Sequence, residues 1–212
     1  MQSVDLLIKV NTYMPAARNK REHLIQAAKD LIHRQGYNKT TLADIADSSG
    51  VPLGNVYYYF KTKDDIGSAV IHERSEELDD MYKQWDKLPN ASDRLNALLD
   101  LPLQMRAAIT SSGCPIGSLA QELNKEKNYL AREVARLLNN QVKWAAEQFR
   151  QLDSDQPEDD AVFLLSTIQG SLLFANSLGQ PDTVNRQINR LRKWLENFTA
   201  PHTKKQARSG QR

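Results

Sequence analysis

The side chains best suited to chemistry cluster between Thr40 and Lys63, in the stretch TTLADIADSSGVPLGNVYYYFKTK. Two hydroxyls (Thr40 and Thr41), an amide (Asn55), three phenols (Tyr57, Tyr58 and Tyr59) and an ammonium (Lys63) lie there together. This is a set of hydrogen-bond donors and acceptors with no nucleophile beside a base, so it suits binding rather than bond breaking. Elsewhere, His72-Glu73 opens an H-E-x-x pattern, but Glu76 stands where the second zinc-binding His would fall. The four histidines (His23, His33, His72 and His202) are scattered. There is no Gly-rich phosphate loop and no G-x-S-x-G elbow. Carboxylate runs such as Glu76-Glu77 and Glu158-Asp159-Asp160 read as helix N-terminal or solvated charges. The sequence therefore points away from an enzyme, a metal centre or a cofactor.

Two short helices must position the binding groups. Leu42, Ile45 and Ala46 are spaced i, i+3, i+4 and share one helix face. Thr41 precedes them with Asp44 three residues on, close to a capping box. Gly50 can take the left-handed conformation that ends such a helix, and Val51 supplies the apolar contact beyond it. A second helix starts near Pro52, where a missing N–H costs nothing. Two short helices joined through a Gly turn form the helix-turn-helix pattern, whose second helix enters the DNA major groove.

The run V-P-L-G-N-V-Y-Y-Y-F-K-T-K-D-D-I at 51–66, with T-T-L-A-D-I-A at 40–46, resembles the signature of TetR-family transcriptional regulators. The likeness spans roughly residues 18–70. Two positions depart from it: Pro52 replaces the usual Ser and removes a side-chain cap, and Leu53 stands where many members carry Lys or another polar residue. The resemblance implies that Thr40 and Thr41 meet phosphates, with their hydroxyls and the helix N-terminal N–H groups as donors. It places Leu53, Gly54 and Asn55 on the DNA-reading helix. Asn55 could pair bidentately with adenine, and Gly54 would allow close backbone approach. Tyr57 and Tyr58 would offer phenols to phosphate and ring surface to sugar or thymine methyl, and Lys63 would neutralise a phosphate. Tyr59 and Phe60 are expected to support the head, and Lys61 to be a solvated charge.

Composition is that of an ordinary soluble protein, 40% hydrophobic and 25% charged over 212 residues, enough for one domain or two small ones. A single cysteine rules out an internal disulfide and fits a reducing cytoplasm. No run approaches about eighteen consecutive apolar residues, so no membrane association is expected. Net charge is only +2, but residues 1–63 carry nine Lys/Arg against five Asp/Glu, whereas 64–200 carry fifteen against twenty-one. A basic head on an acidic body suits a DNA-reading domain attached to a regulatory one.

The periodicity predicts an all-α chain, about nine helices in the family's pattern. It divides into a flexible arm (1–17, with Met14 an alternative start), a helix-turn-helix domain (18–63), a ligand-binding and dimerisation domain (64–198) and a disordered basic tail (199–212). Leu24, Ile25, Ala28, Leu31 and Ile32 make the first apolar stripe. Helices are expected over 64–88, over 92–110 with Ser92 as cap and a kink at Pro102, over 115–124, 126–152, 158–178 and 182–198, with Ser111-Ser112-Gly113 as a turn. The segment AVFLLSTIQGSLLFANSLG is too apolar all round for a solvated helix. It is either the central helix of a monomer core or a face buried by a partner subunit, and the resemblance favours the partner.

The expected function is a homodimeric repressor on a near-palindromic operator in double-stranded DNA, released by a small-molecule effector or a thiol-reactive signal. The alternative is an architectural or constitutive DNA-binding protein with a purely structural body. Candidate effector-contacting residues are Met105, Cys114, Leu119, Trp144, Phe163 and Phe174. SGCPIGSLAQEL around Cys114 is similar to the S-G-C-x-x-x-x-L-x-x-E segment of the electrophile- and oxidant-responsive TetR branch. A thiol just ahead of Pro115 would sit at a helix N-terminus, whose partial positive charge favours the thiolate.

Overall fold

A computed structural model describes residues 16–199 of the chain. Among the described residues there are ten helices and no strand: α1 (Ala16–Gln35), α2 (Leu42–Ser49), α3 (Leu53–Tyr59), α4 (Lys63–Trp85), α5 (Ala91–Gln104), α6 (Arg106–Ser112), α7 (Pro115–Glu126), α8 (Tyr129–Gln151), α9 (Pro157–Leu178) and α10 (Asp182–Thr199). Of the arm expected over 1–17, only Ala16 and Ala17 are described, as the start of α1, and of the tail over 199–212 only Thr199. The remainder lies outside the described residues.

The extra helix comes from the segment expected over 92–110. Pro102 has no N–H to give the preceding turn, and the chain breaks three residues later at Met105 (φ −92°, ψ 8°), splitting α5 from α6. The cap of α5 is Asn90, not Ser92. The Asn90 side chain reaches the Asp93 N–H at 2.9 Å, and Ser92 falls inside the first turn. Ser111 and Ser112 also stay helical, the Ser111 hydroxyl donating to the Ala108 carbonyl at 3.0 Å, so the turn narrows to Gly113.

The described chain forms two compact units. The first takes in the chain up to Glu77 together with Pro115–Ala135. Its core joins Leu24, Ala28 and Ile32 of α1 to Ile45, Val51, Val56 and Phe60, as the stripe predicts, while Leu31 and Leu42 are only half-buried. It is larger than residues 18–63 because Ile66 and Val70 of α4, and Leu123, Leu130 and Val134 further on, are also buried. Tyr37 is packed so tightly that a Cβ at Gly67 would lie 2.9 Å from its ring. The Lys29 ammonium, nearly fully buried, pairs with Glu77, which also accepts from Arg74 at 3.1 Å. That pairing meets the requirement that a buried charge have a partner.

The second unit comprises Leu78–Cys114 and the chain from Arg136. Leu95, Leu99, Phe149, Leu164, Ile188 and Leu191 form its core, with Trp194 and Phe198 packed around the Phe149 ring at centroid distances of 5.5 and 5.3 Å. Arg192 on α10 pairs with Asp100 on α5. Tyr82, Trp85 and Trp144 make a second aromatic group, the Tyr82 and Trp144 rings stacking at 4.9 Å.

Helix α9 has two apolar faces. Ala161, Leu164, Leu165, Ile168, Leu172 and Ala175 are buried within the unit. Val162, Phe163, Leu173, Phe174 and Leu178 on the other side are 48–57% exposed, and nothing lies within 4 Å of where a Gly170 Cβ would be. The core-helix explanation therefore holds for one face only. Among the described residues α9 is the one helix long and apolar enough to cross a membrane; it opens on Glu158, Asp159 and Asp160, and one face is occupied by the core.

Candidate nucleic-acid interface

The interface begins with the turn that launches α2. Thr41 is the N-cap in extended conformation, its hydroxyl oxygen accepting the Asp44 N–H at 3.1 Å, while the Asp44 carboxylate accepts the Thr41 N–H at 2.8 Å. The Thr41 hydroxyl, which donates to that carboxylate at 2.8 Å, and then the Thr41 N–H hold the Asp44 carboxyl below the usual aspartate range. Because the folded pKa is the lower one, the cap contributes fully above the ordinary aspartate value. Its contribution is lost as pH falls through the depressed one. Gly50 closes α2 at φ 68°, with its N–H on the Ala46 and Asp47 carbonyls and the Val51 N–H on Ala46 at 3.2 Å.

Helix α3 follows with Pro52 in the capping position and no side-chain cap, as the departure from Ser requires. It is held from below by Val56, fully buried, and by Phe60, which ends it. Lys61, expected as a free charge, donates to the Tyr57 carbonyl at 2.9 Å and so satisfies the helix C-terminus. With Val56 turned inward, Leu53, Gly54, Asn55, Tyr57 and Tyr58 form an exposed row, Tyr58 being 75% accessible. Tyr59 is half-buried and braces Tyr58 edge-to-face at 5.1 Å. Leu53, at 40% exposure, puts an apolar surface at the head of the row where a methyl group or sugar could sit.

Three of the expected phosphate donors are engaged within the head. Thr40 is 1% exposed, its hydroxyl donating to the Gly36 carbonyl at 2.8 Å and its N–H to Tyr37 at 3.1 Å. Both of its hydrogens are thus used internally, and Thr40 supports the turn rather than presenting a hydroxyl. Thr41 is exposed, and its hydroxyl donates to Asp44 at 2.8 Å. Lys63 donates to the Asn38 carbonyl at 3.1 Å and rides 4.5 Å above the Tyr37 ring, leaving part of its three-donor ammonium for an anion. Burial, and then the Asp64 carboxylate it donates to at 2.6 Å, push the Tyr37 phenol well above its ordinary range and keep it a donor. Arg21, which no motif singled out, lies 5.3 Å over Phe60 and adds a cation to the head.

The effector candidates do not gather into one site. Met105, Cys114 and Trp144 pack, half-buried, against the core of the second unit, while Leu119 is buried in the first. Phe163 and Phe174 are 48% and 57% exposed on the outer face of α9, so they are not walls of an interior pocket within this chain. Their all-apolar helix gave no periodicity from which to tell inside from outside. A groove lined by Arg21, Ile25, Ala69, His72 and Glu73 includes none of the six candidates. Among the described residues no three His, Cys, Asp or Glu side chains converge as metal ligands.

Comparison with known proteins agrees with this geometry. Residues 24–70 match the family model of bacterial regulatory proteins, tetR family. An uncharacterized HTH-type transcriptional regulator in the lacX 3' region of Lactococcus lactis is 28% identical over 172 residues, which is 74% of this chain and 83% of the relative. A TetR-family regulator from Agrobacterium tumefaciens superposes with TM-score 0.77 at 19% identity, covering 84% of this chain and 98% of its own. The reduced form of Escherichia coli NemR gives TM-score 0.74 at 19% identity, covering 82% and 96%.

If the α3 row reads bases, Asn55→Ala will relax preference at one base pair by about 1–3 kcal/mol and leave binding to random duplex nearly unchanged. Fluorescence anisotropy with matched and mismatched duplexes measures this. Equal weakening on all sequences would remove Asn55 from base readout.

Proposed function

We infer from membership of the tetR family of bacterial regulatory proteins, to which this chain belongs, that it acts as a homodimeric repressor of transcription. The observation that carries the DNA-binding part is the row Leu53, Gly54, Asn55, Tyr57 and Tyr58, all outward on a short helix anchored by Val56 and Phe60. An apolar body, a backbone without side chain and an amide, all exposed over the first turn of the helix, suit a major-groove surface. Thr41, Lys63 and the N-terminal N–H groups of α2 and α4 would hold phosphates on either side, with Thr40 setting the turn.

Dimerisation is supported by the second face of α9. Val162, Phe163, Leu173, Phe174 and Leu178 form an exposed apolar stripe, with open space at Gly170. A contiguous apolar stripe of this length on a protein that must remain dissolved is stabilised by burial against a second copy. The site of action is then the cytoplasm, where the operator lies.

Release is the regulatory step. Cys114 is half-buried and immediately precedes Pro115, the first residue of α7. Alkylation would add volume at that helix start, and oxidation would add charge or polarity. A small molecule bound in the body could bias the same element without touching the thiol.

These readings are tested separately. A two-fold dimer must place its α3 helices in successive major grooves about 34–36 Å apart, so selected operators will be near-palindromic with that half-site spacing. Phe174→Glu should produce monomers that lose operator affinity, measured by sedimentation and anisotropy. A monomer footprint on one asymmetric half-site would refute the dimer. For the thiol signal, N-ethylmaleimide or hydrogen peroxide should release operator from wild type and not from Cys114→Ser. Identical loss in both proteins, or none in wild type, would exclude it.

A further inference from the structure

The turn between α1 and α2, which launches the DNA-reading unit, is held by a carboxylate from far along the chain. Glu122 on α7 accepts the backbone N–H of Asn38 at 3.1 Å. Its other oxygen fills the space beside Gly36, where a Cβ would lie 2.7 Å from Oε1. Gly36 is thus required twice, by its φ of 90° and by the carboxylate against it. One turn along α7, Glu126 accepts from the Asn38 side-chain amide at 3.4 Å.

Two of the expected phosphate donors, Thr41 and Lys63, are tied to this turn. The Thr40 N–H and hydroxyl donate to Tyr37 and Gly36, and Thr40 sets the direction of Thr41, the α2 cap. Lys63 donates to Asn38, the same residue that Glu122 holds. Leu119 and Leu123 bury the inner face of α7 and fix the backbone from which Glu122 reaches.

We propose that Glu122 is a positioning residue for DNA reading, a clasp that fixes the Gly36–Thr40 turn and through it Thr41 and the Lys63 ammonium. The inference rests on the DNA-binding reading above.

Charge gives the test its sign. A carboxylate on a DNA-binding head repels phosphates, so if Glu122 were a bystander its removal would leave affinity unchanged or raise it. The clasp requires the opposite. Glu122→Ala should weaken binding to a selected operator duplex about tenfold, the scale expected for one lost charge-assisted hydrogen bond. Glu122→Asp, which keeps the charge but is too short to reach the Asn38 N–H, should weaken it similarly. Glu122→Gln, whose amide oxygen can still accept that N–H, should bind as tightly as wild type or tighter. Hydrogen exchange at the Asn38 amide, read by NMR, should be fast in the Ala and Asp variants and slow in Gln and wild type. Melting curves identify a variant that fails to fold, in which case the Asp and Gln pair decides. Ala and Asp variants that bind as well as wild type would overturn the clasp alone. A wild-type chain that binds no duplex would overturn the DNA-binding reading and the clasp with it.

Discussion

A seven-residue helix cannot sustain itself in water, because the cost of nucleating the first turn is not recovered over so few hydrogen bonds. Helix α3 persists because Val56 and Phe60 are buried beneath it and Lys61 satisfies its C-terminus. That anchoring is the constraint on which the interface depends. With Val56 fixed inward, helical geometry turns Gly54 and Tyr58 directly outward and Asn55 and Tyr57 to the flanks, while Leu53, one turn before Val56, is exposed at the helix start. A lost Phe60 contact would therefore unmake the exposed surface of α3 without touching any of the residues proposed to meet DNA. The helix without a side-chain cap at Pro52 relies on this packing all the more.

The body solves a different problem. Its core around Phe149 and Leu164 is saturated, yet α9 is apolar on both sides. A helix of this kind is satisfied by packing on two surfaces, and the chain supplies one. In the proposed reading the outer face of α9 and a near-palindromic operator would have a common solution, since one interface would both bury the stripe and double the reading head.

What could be read beforehand followed the range of the signals. The capping box of Thr41 and Asp44, the Gly50 stop and the absent cap at Pro52 are local patterns, and the structure contains each of them. So are the helix boundaries, to within a few residues. The cap is read at Ser92 rather than Asn90 because Ser and Asn are both good cap residues two positions apart, and the kink expected at Pro102 falls three residues later, at Met105, as a full break. Thr40 turned inward because its hydroxyl found a carbonyl four residues back. Phe163 and Phe174 faced outward on a helix whose uniform apolarity erased the period. The Glu122–Asn38 contact spans 84 residues, and no sequence window contains both ends.

The central claim is that the exposed row of α3 is the surface that meets DNA. Backbone hydrogen exchange of the chain, alone and bound to a duplex obtained by selection, measures this directly. The account predicts new protection concentrated over Thr41 and Leu53–Tyr58, with α10 unchanged. Protection elsewhere in the chain, with Leu53–Tyr58 exchanging as in the free protein, would contradict it.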